Sequence, residues 1–221
     1  MKTTVRTTMS KKYEAIFFDL DGTLTDSIPL IMKCFHLTYM EVCGEVPRTD
    51  EDLQSYIGKP LIDTFIDCHD EKTAQCLYDT YLRINEAMLA NNELEFFDGV
   101  IDSLHRLHDA GYRLAIVTSK RRLSLMITLE LNGLVELFEQ LTVCEDTKEH
   151  KPSGEPIMHA ASKMGIGDMS KILFVGDALV DYQCAMDSGV DFALVDWTKM
   201  DKTEFEQFGT PRTIKSLDEL L

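Results

Sequence analysis

Short apolar runs that each stop abruptly at polar residues are the feature that most limits how this chain of 221 residues can fold. Five such runs occur, at residues 13–18, 113–117, 140–143, 171–175 and 192–195. Runs of this kind are typical of strands buried on both faces of a parallel sheet. Helical patterns separate them, and alternating strands and helices predict a sheet covered on both faces by helices. We therefore expect an α/β fold with a Rossmann-like core.

The stretch from residue 27 to residue 97 does not follow this alternation. Its apolar spacing is mostly helical and predicts helices at residues 28–43, 50–56, 60–67 and 71–91. Because the stretch lies between the first and second strands, we predict an all-helical cap domain inserted into the core. The core would then comprise residues 13–26 and 98–221, and residues 1–12 would form a polar N-terminal tail.

Composition narrows the classes of partner. The formal net charge of -16 argues against nucleic acid or an anionic membrane, although a bound cation can still make one cleft attractive to a small anion. The apolar runs fall well short of the roughly 20 residues that span a bilayer. The six scattered cysteines form no C-x-x-C pair, which is typical of reduced thiols. We expect a cytoplasmic protein, either a monomer or a homodimer.

Polar side chains stand directly after four of the predicted strands. The carboxyl ends of parallel strands meet at one edge of a sheet, and ligands of open α/β sheets bind there. Taken singly, each residue has an ordinary explanation as a turn, a cap or a solvated loop. Their joint occurrence instead predicts one site, built from Asp19, Asp21, Thr118, Lys151, Asp177 and Asp181.

Four motifs in this pattern resemble those of the haloacid dehalogenase superfamily of hydrolases. Residues 19–23 match D-x-D-G-T, and residues 116–119 match an apolar strand that ends in Thr or Ser. Residues 151–156 match a Lys before a Pro-containing helix start, and residues 176–181 match G-D-x-x-x-D. The likeness covers the chain from Tyr13 onward. The inserted helical cap is similar to that of the phosphoglycolate phosphatase-like branch.

The resemblance implies roles for the acidic residues. Asp19 would be the nucleophile that attacks phosphorus and forms an aspartyl-phosphate. Asp21 would protonate the leaving oxygen and later deprotonate the attacking water. A Mg²⁺ ion would be bound by the carboxylates of Asp19 and Asp177 and by the backbone carbonyl of Asp21.

It also implies a phosphate-binding set and a reaction class. Thr118, Ser119 and Lys151 would bind the phosphoryl group, and Asp181 would orient Lys151 or a metal-bound water. Dehalogenases of the superfamily lack an acid at the position of Asp21, because a halide leaves without a proton. We therefore predict a magnesium-dependent phosphatase of a small phosphorylated metabolite, with phosphoglycolate and pyrophosphate as the nearest family examples.

Two positions depart from the family pattern, and the roles of Lys59 in the cap and of Arg121 in the core are left undecided. Ala178 stands where Thr or Ser is common, which implies one polar contact fewer near the metal, and Gly154 replaces a common Pro. Lys59, before a helix-starting Pro60, is either a substrate-binding residue of the cap or a solvated turn residue. Arg121 either reaches toward substrate or is a surface residue at a helix start.

Three alternative functions are compatible with parts of this pattern. A phosphomutase acting on a sugar phosphate would use the same core, with the cap shielding the aspartyl-phosphate from water. A non-catalytic protein that binds a phosphorylated ligand is disfavoured, because Asp19 and Asp21 are both present. A receiver domain is disfavoured by the cap insertion and by the position of Asp19 after the first strand.

Overall fold

The computed structural model describes residues 12–57, 61–205, 207–209 and 211–221. Within these ranges the chain forms eight strands and eight α-helices. The strands are β1 (Ala15–Phe18), β2 (Thr25–Asp26), β3 (Glu95–Phe96), β4 (Arg113–Val117), β5 (Gln140–Thr142), β6 (Ile172–Gly176), β7 (Asp191–Val195) and β8 (Arg212–Ile214). The helices are α1 (Ile28–Cys43), α2 (Asp50–Gln54), α3 (Leu61–Ile66), α4 (Glu71–Ala90), α5 (Val100–Asp109), α6 (Arg122–Leu131), α7 (Glu155–Lys163) and α8 (Leu179–Ser188).

Six strands form one parallel sheet in the order β5-β4-β1-β6-β7-β8. Strand β1 is central, with Phe18 beside Ile116 of β4 on one side and Val175 of β6 on the other. These three strands therefore end within one residue of each other along the strand direction. The predicted convergence of strand ends at one edge follows from this register.

Both faces of the sheet are covered by helices, as predicted, and β1 contributes alternate side chains to the two cores. Ile16 and Phe18 pack in a cluster with residues of α5 and α6. Ala15 and Phe17 pack in a cluster with residues of α7 and α8. This alternation is the period of two expected for a strand buried on both faces.

The four helices α1–α4 pack around a separate apolar core that includes Phe35, Tyr39, Phe65 and Leu77. The observed helices begin and end within two residues of the predicted bounds. A two-stranded antiparallel ribbon, in which Thr25 pairs with Phe96, stands at the root of this cap. The ribbon and β8 were not predicted, because strands of two or three partly polar residues carry too little pattern. In the described part of the chain, no helix is both long and apolar enough to cross a membrane.

Candidate active site

The loop after β1 carries Asp19 and Asp21 and is held in shape by its own backbone. The N–H groups of Leu24 and Thr25 both donate to the carbonyl of Leu20, at 2.9 and 3.0 Å. Gly22 has a φ of +85°, and a Cβ there would lie 2.3 Å from Oδ2 of Asp177. Glycine is therefore needed both for the backbone conformation and for the close approach of this loop to Asp177.

Lys151 links this loop to the start of α8. Its Nζ donates to Oδ1 of Asp19 at 2.6 Å and to Oδ1 of Asp181 at 2.7 Å, and its side chain is only 3% exposed. A buried ammonium requires charged or hydrogen-bonding partners, and the two carboxylates supply them. The loop after Lys151 is itself fastened to α8, because the N–H of Gly154 donates to Asp187 at 2.7 Å.

Asp177 and Asp181 are positioned by the turn between β6 and α8. Oδ2 of Asp181 accepts from the N–H groups of Asp177 and Ala178, at 3.2 and 3.1 Å. The carboxylate of Asp177 accepts from the hydroxyl of Thr23 at 3.4 Å and from that of Thr198 at 3.3 Å. Asp181 therefore contacts both Lys151 and the turn that carries Asp177, and its predicted orienting role stays a prediction.

Three carboxylates meet at the centre of the site. One oxygen from each of Asp19, Asp177 and Asp181 lies within 4.8 Å of the others, and all three residues are buried. Carboxylate oxygens are the ligands that Mg²⁺ and Ca²⁺ prefer in proteins. The residues present therefore fit a metal ion, and the predicted approach of Asp177 to Asp19 is observed.

The electrostatics of the cluster also fit a cation. Burial, followed by the charge of Asp181, outweighs the effect of Lys151 and raises the pKa of Asp19 to about 7. Burial and the charges of Asp181 and Asp19 raise the pKa of Asp177 well above its usual range. Burial lowers the pKa of the Lys151 ammonium. The charges of Asp181 and Asp19 outweigh this effect and raise the pKa overall. One ammonium among three carboxylates leaves an excess of negative charge that a divalent cation would compensate.

Asp21 stands apart from this cluster. Lys120 donates to both of its carboxylate oxygens, at 3.0 Å each, and the Lys120 side chain is only 10% exposed. The predicted metal contact of Asp21 through its backbone carbonyl does not involve the carboxylate that Lys120 binds. Sequence reasoning missed Lys120, although its place two residues after Thr118, directly after the second motif, was a signal that could have found it.

Thr118 and Ser119 lie where the second motif predicts, at the end of β4. Thr118 is buried, and its hydroxyl oxygen accepts from the N–H of Lys120 at 3.2 Å. Both residues line a small cavity together with Lys151 and His150. The phosphate-binding residues predicted from separate motifs therefore border one space.

The segment after β7 also reaches the site. Nε1 of Trp197 donates to the carbonyl of Thr23 at 3.0 Å, and its ring lies 6.1 Å from that of Phe97. The hydroxyl of Thr198 donates to the backbone carbonyl of Asp177 at 2.9 Å. It therefore supplies a polar contact beside the cluster of three carboxylates, of the kind that Ala178 cannot make.

The cap packs against the core through helices α4 and α6. Burial, followed by the charges of Cys34 and Asp21, raises the pKa of Tyr81 in α4 well above its usual value. Arg121, at the start of α6, lies 3.8 Å from Glu86 of the cap and 3.7 Å from Glu145 of the core. Lys59 lies outside the described residues, and its predicted role stays a prediction.

Comparison with known proteins agrees with this geometry. Residues 16–195, more than half of the chain, match the family model of haloacid dehalogenase-like hydrolases. The chain belongs to the haloacid dehalogenase-like hydrolase family. The family and enzyme class predicted from the four motifs, a phosphatase of this superfamily, are thereby confirmed.

Individual members of the family show how far the likeness extends. The chain is 35% identical to the pyrophosphatase PpaX of Bacillus velezensis over 189 residues, which are 85% of each chain. A haloacid dehalogenase-like hydrolase from Bacteroides fragilis, 27% identical, superposes with a TM-score of 0.83 over 95% of this chain and 100% of that one. A structure from Haemophilus somnus, described as a phosphoglycolate phosphatase, shares the fold with 22% identity and a TM-score of 0.84, over 96% of this chain and 98% of that one. The fold predicted from the phosphoglycolate phosphatase-like branch is confirmed.

Proposed function

We propose that this hydrolase is a Mg²⁺-dependent phosphatase that acts on a small phosphorylated metabolite through an aspartyl-phosphate formed on Asp19. The observation that carries the proposal is the cluster of Asp19, Asp177 and Asp181, within 4.8 Å of one another, with Lys151 2.6 Å from the proposed nucleophile. This arrangement supplies positive charge beside a carboxylate that must approach an anionic phosphoryl group. Charge neutralisation is the central difficulty of that approach.

The side chains of the site account for a two-step hydrolysis. A carboxylate oxygen of Asp19 attacks phosphorus, which forms an O–P bond as the bond to the leaving oxygen breaks. Asp21 gives that oxygen its proton, and the same carboxylate then removes a proton from water. The water attacks phosphorus and releases phosphate, which restores Asp19. Phosphate monoester hydrolysis is so slow in water that enzymes accelerate it by up to about 10²¹-fold.

The remaining residues bind and orient. Asp19, Asp177 and the backbone carbonyl of Asp21 would hold Mg²⁺, which supplies positive charge to the phosphoryl oxygens when it is bound. Thr118 and Ser119 would donate hydroxyl hydrogen bonds to the phosphoryl group. Lys151 would donate to the phosphoryl group from the loop before α7.

Pyrophosphate is the substrate that we propose to test first. The relative with 35% identity bears the name pyrophosphatase, and it matches over 85% of both chains. Lys120 also places an ammonium next to Asp21, the proposed proton donor to the leaving group. A cation there suits a leaving group that is itself an anion, as phosphate is and a neutral alcohol is not.

The experiment is phosphate release from pyrophosphate, phosphoglycolate and an aryl phosphate, with Mg²⁺ and with chelator. We expect Asp19→Asn to reduce turnover by at least about 10³-fold, because the amide cannot act as the nucleophile. Asp109→Asn, an exposed position at the end of α5 and away from the site, serves as a control for the same substitution. Undiminished turnover in Asp19→Asn would exclude this mechanism.

The same purified protein can be used to distinguish a phosphatase from the phosphomutase alternative. A mutase would isomerise a hexose phosphate with no net release of phosphate. A phosphatase would release phosphate in proportion to the substrate consumed.

A further inference from the structure

We propose that Thr198 is a positioning residue for the Asp177 carboxylate and thereby sets the affinity of the site for its metal ion. The inference rests on the proposed function, because it assigns a role toward the Mg²⁺ that this function requires. Thr198 follows β7, the strand next to β6, and lies outside the four motifs that identified the site.

The hydroxyl of Thr198 is oriented by its hydrogen bonds. Its oxygen accepts from the N–H of Met200 at 3.0 Å, so its proton points the other way. That proton faces Asp177, whose backbone carbonyl lies at 2.9 Å and whose Oδ2 lies at 3.3 Å. A single hydroxyl thus contacts both the main chain and the side chain of this residue. It restrains the position and the rotation of the carboxylate together.

Asp177 needs such a donor because its surroundings are negative. The carboxylates of Asp19 and Asp181 share the cluster with it, and like charges repel. The neighbouring Ala178 has a methyl side chain that cannot donate. Among the described residues, the other side-chain hydroxyl in contact is that of Thr23, at the longer distance of 3.4 Å.

The segment that carries Thr198 is itself anchored to the loop after β1, which carries Asp19. The indole of the preceding Trp197 donates to the carbonyl of Thr23 at 3.0 Å. Thr23 in turn donates its hydroxyl to Oδ1 of Asp177. Each carboxylate oxygen of Asp177 therefore has a hydroxyl within 3.4 Å, and the Trp197–Thr198 pair connects the two donors. A rigid support of this kind raises metal affinity, because the ligand does not have to be ordered on binding.

The experiment compares Thr198→Val, which keeps the shape and removes the hydroxyl, with Thr198→Ser, which keeps the hydroxyl. Thr213→Val, at an exposed position in β8, is the matched control for the same substitution elsewhere. Mg²⁺ affinity is measured by calorimetric titration without substrate. Phosphate release from pyrophosphate is measured as a function of Mg²⁺ concentration. Thermal unfolding in chelator reports whether each variant is folded.

We expect Thr198→Val to weaken Mg²⁺ binding about 10- to 100-fold. Its turnover should recover largely at high Mg²⁺, whereas Thr198→Ser and Thr213→Val should bind like the wild type. If Thr198→Val does not fold, Thr198→Ala provides the same comparison. Wild-type affinity in a folded Thr198→Val, together with lost affinity in Asp177→Asn, would overturn the inference and leave the proposed function intact. A wild-type protein that neither binds Mg²⁺ nor releases phosphate would overturn both.

Discussion

Lys120 and Asp21 form a two-pronged ion pair in which the ammonium lies 3.0 Å from each carboxylate oxygen. The two residues come from the loops after β4 and β1, which are adjacent strands. The pair is mostly shielded, with side-chain exposures of 10% for Lys120 and 27% for Asp21. It therefore holds the proposed acid in one orientation, and this contact leads to the first prediction.

Substitution of Lys120 should impair turnover without impairing metal binding. We expect Lys120→Met to lower kcat/KM about 10- to 100-fold, because a displaced acid–base group loses most of its contribution. The Mg²⁺ affinity should stay unchanged, since the Asp21 carboxylate is outside the cluster of three. Steady-state kinetics and calorimetry check the two parts. Lys171→Met, at an exposed position, should leave both unaltered. Equal activity of the two variants would contradict the assignment.

Gly22→Ala should damage the metal site as well as the fold. The φ of +85° alone costs an alanine about 1–2 kcal/mol. The added Cβ would also displace the carboxylate of Asp177, so we expect Mg²⁺ affinity to fall at least about 10-fold. Gly133→Ala is the matched control, because Gly133 has a φ of +65° and no atom within 4 Å of the new Cβ. It should lose stability but keep its affinity. Chemical denaturation and metal titration measure both quantities.

The stabilisation provided by Mg²⁺ should grow as pH rises toward 8. The pKa of Asp19 is raised by burial to about 7 in the metal-free fold, from an ordinary value of 3.8. The folded protein then binds a proton that the unfolded chain does not, so stability without metal declines as pH rises from about 4 to 7. The raised pKa of Asp177 acts in the same direction. Since Mg²⁺ displaces these protons, its Kd should increase about tenfold per displaced proton for each pH unit below 7.

Thermal unfolding in chelator and in Mg²⁺ at pH 5.5 and pH 8 measures this linkage. The increase in Tm caused by Mg²⁺ should be larger at pH 8. Asp19→Asn, which removes one of the titrating groups, should flatten the dependence. An equal Tm increase at both pH values in the wild type would contradict the prediction.

Arg113 should matter for stability and not for turnover. Its guanidinium donates to Glu14 at 2.8 Å, to the carbonyl of Met164 at 2.5 Å and to Glu139. These contacts join the residues just before β1 and β5 to the start of β4 and the end of α7, at the amino ends of the strands and opposite the site. We expect Arg113→Met to lower the free energy of unfolding by about 1–2 kcal/mol, with kcat unchanged. Denaturant titration and kinetics are the measurements.

The stability lost in Arg113→Met should also depend on pH. The hydrogen bond from Arg113 lowers the pKa of Glu139, so this contribution is present above the ordinary carboxyl pKa and is lost as pH falls through the lowered one. The stability difference between wild type and Arg113→Met should therefore narrow in acid. A constant difference across pH 3 to 7 would argue that packing, and not charge, explains the effect.

Much of the core architecture was predictable because buried residues recur in the sequence with the period of their helix or strand. The strand at 113–117 and the helix at 28–43 were predicted with the bounds that the structure has. Longer elements bury enough residues for their period to stand out. The ribbon of β2 and β3 has two residues in each strand, and no period can be recognised over so short a length.

The candidate site also contains some residues that the sequence identified and others that it did not. Four residues were identifiable because they lie next to a recognisable strand or helix start, at the edge where the loops after parallel strands meet. These are Asp19, Thr118, Lys151 and Asp177. Lys120 and Thr198 were not identified. Lys120 directly follows the second motif, which was a signal for it, but the roles of both residues depend on contacts between loops far apart in sequence.

The sequence by itself thus determined which strands end at a common edge and which charged groups they carry there, because period and order along the chain encode both. Only the tertiary structure decided which carboxylate pairs with which ammonium. Lys151 joins Asp19 and Asp181, Lys120 joins Asp21, and Thr198 reaches Asp177 from the next strand. The physical reason is that hydrogen bonds and ion pairs act over about 3 Å, a distance that packing sets and sequence separation does not.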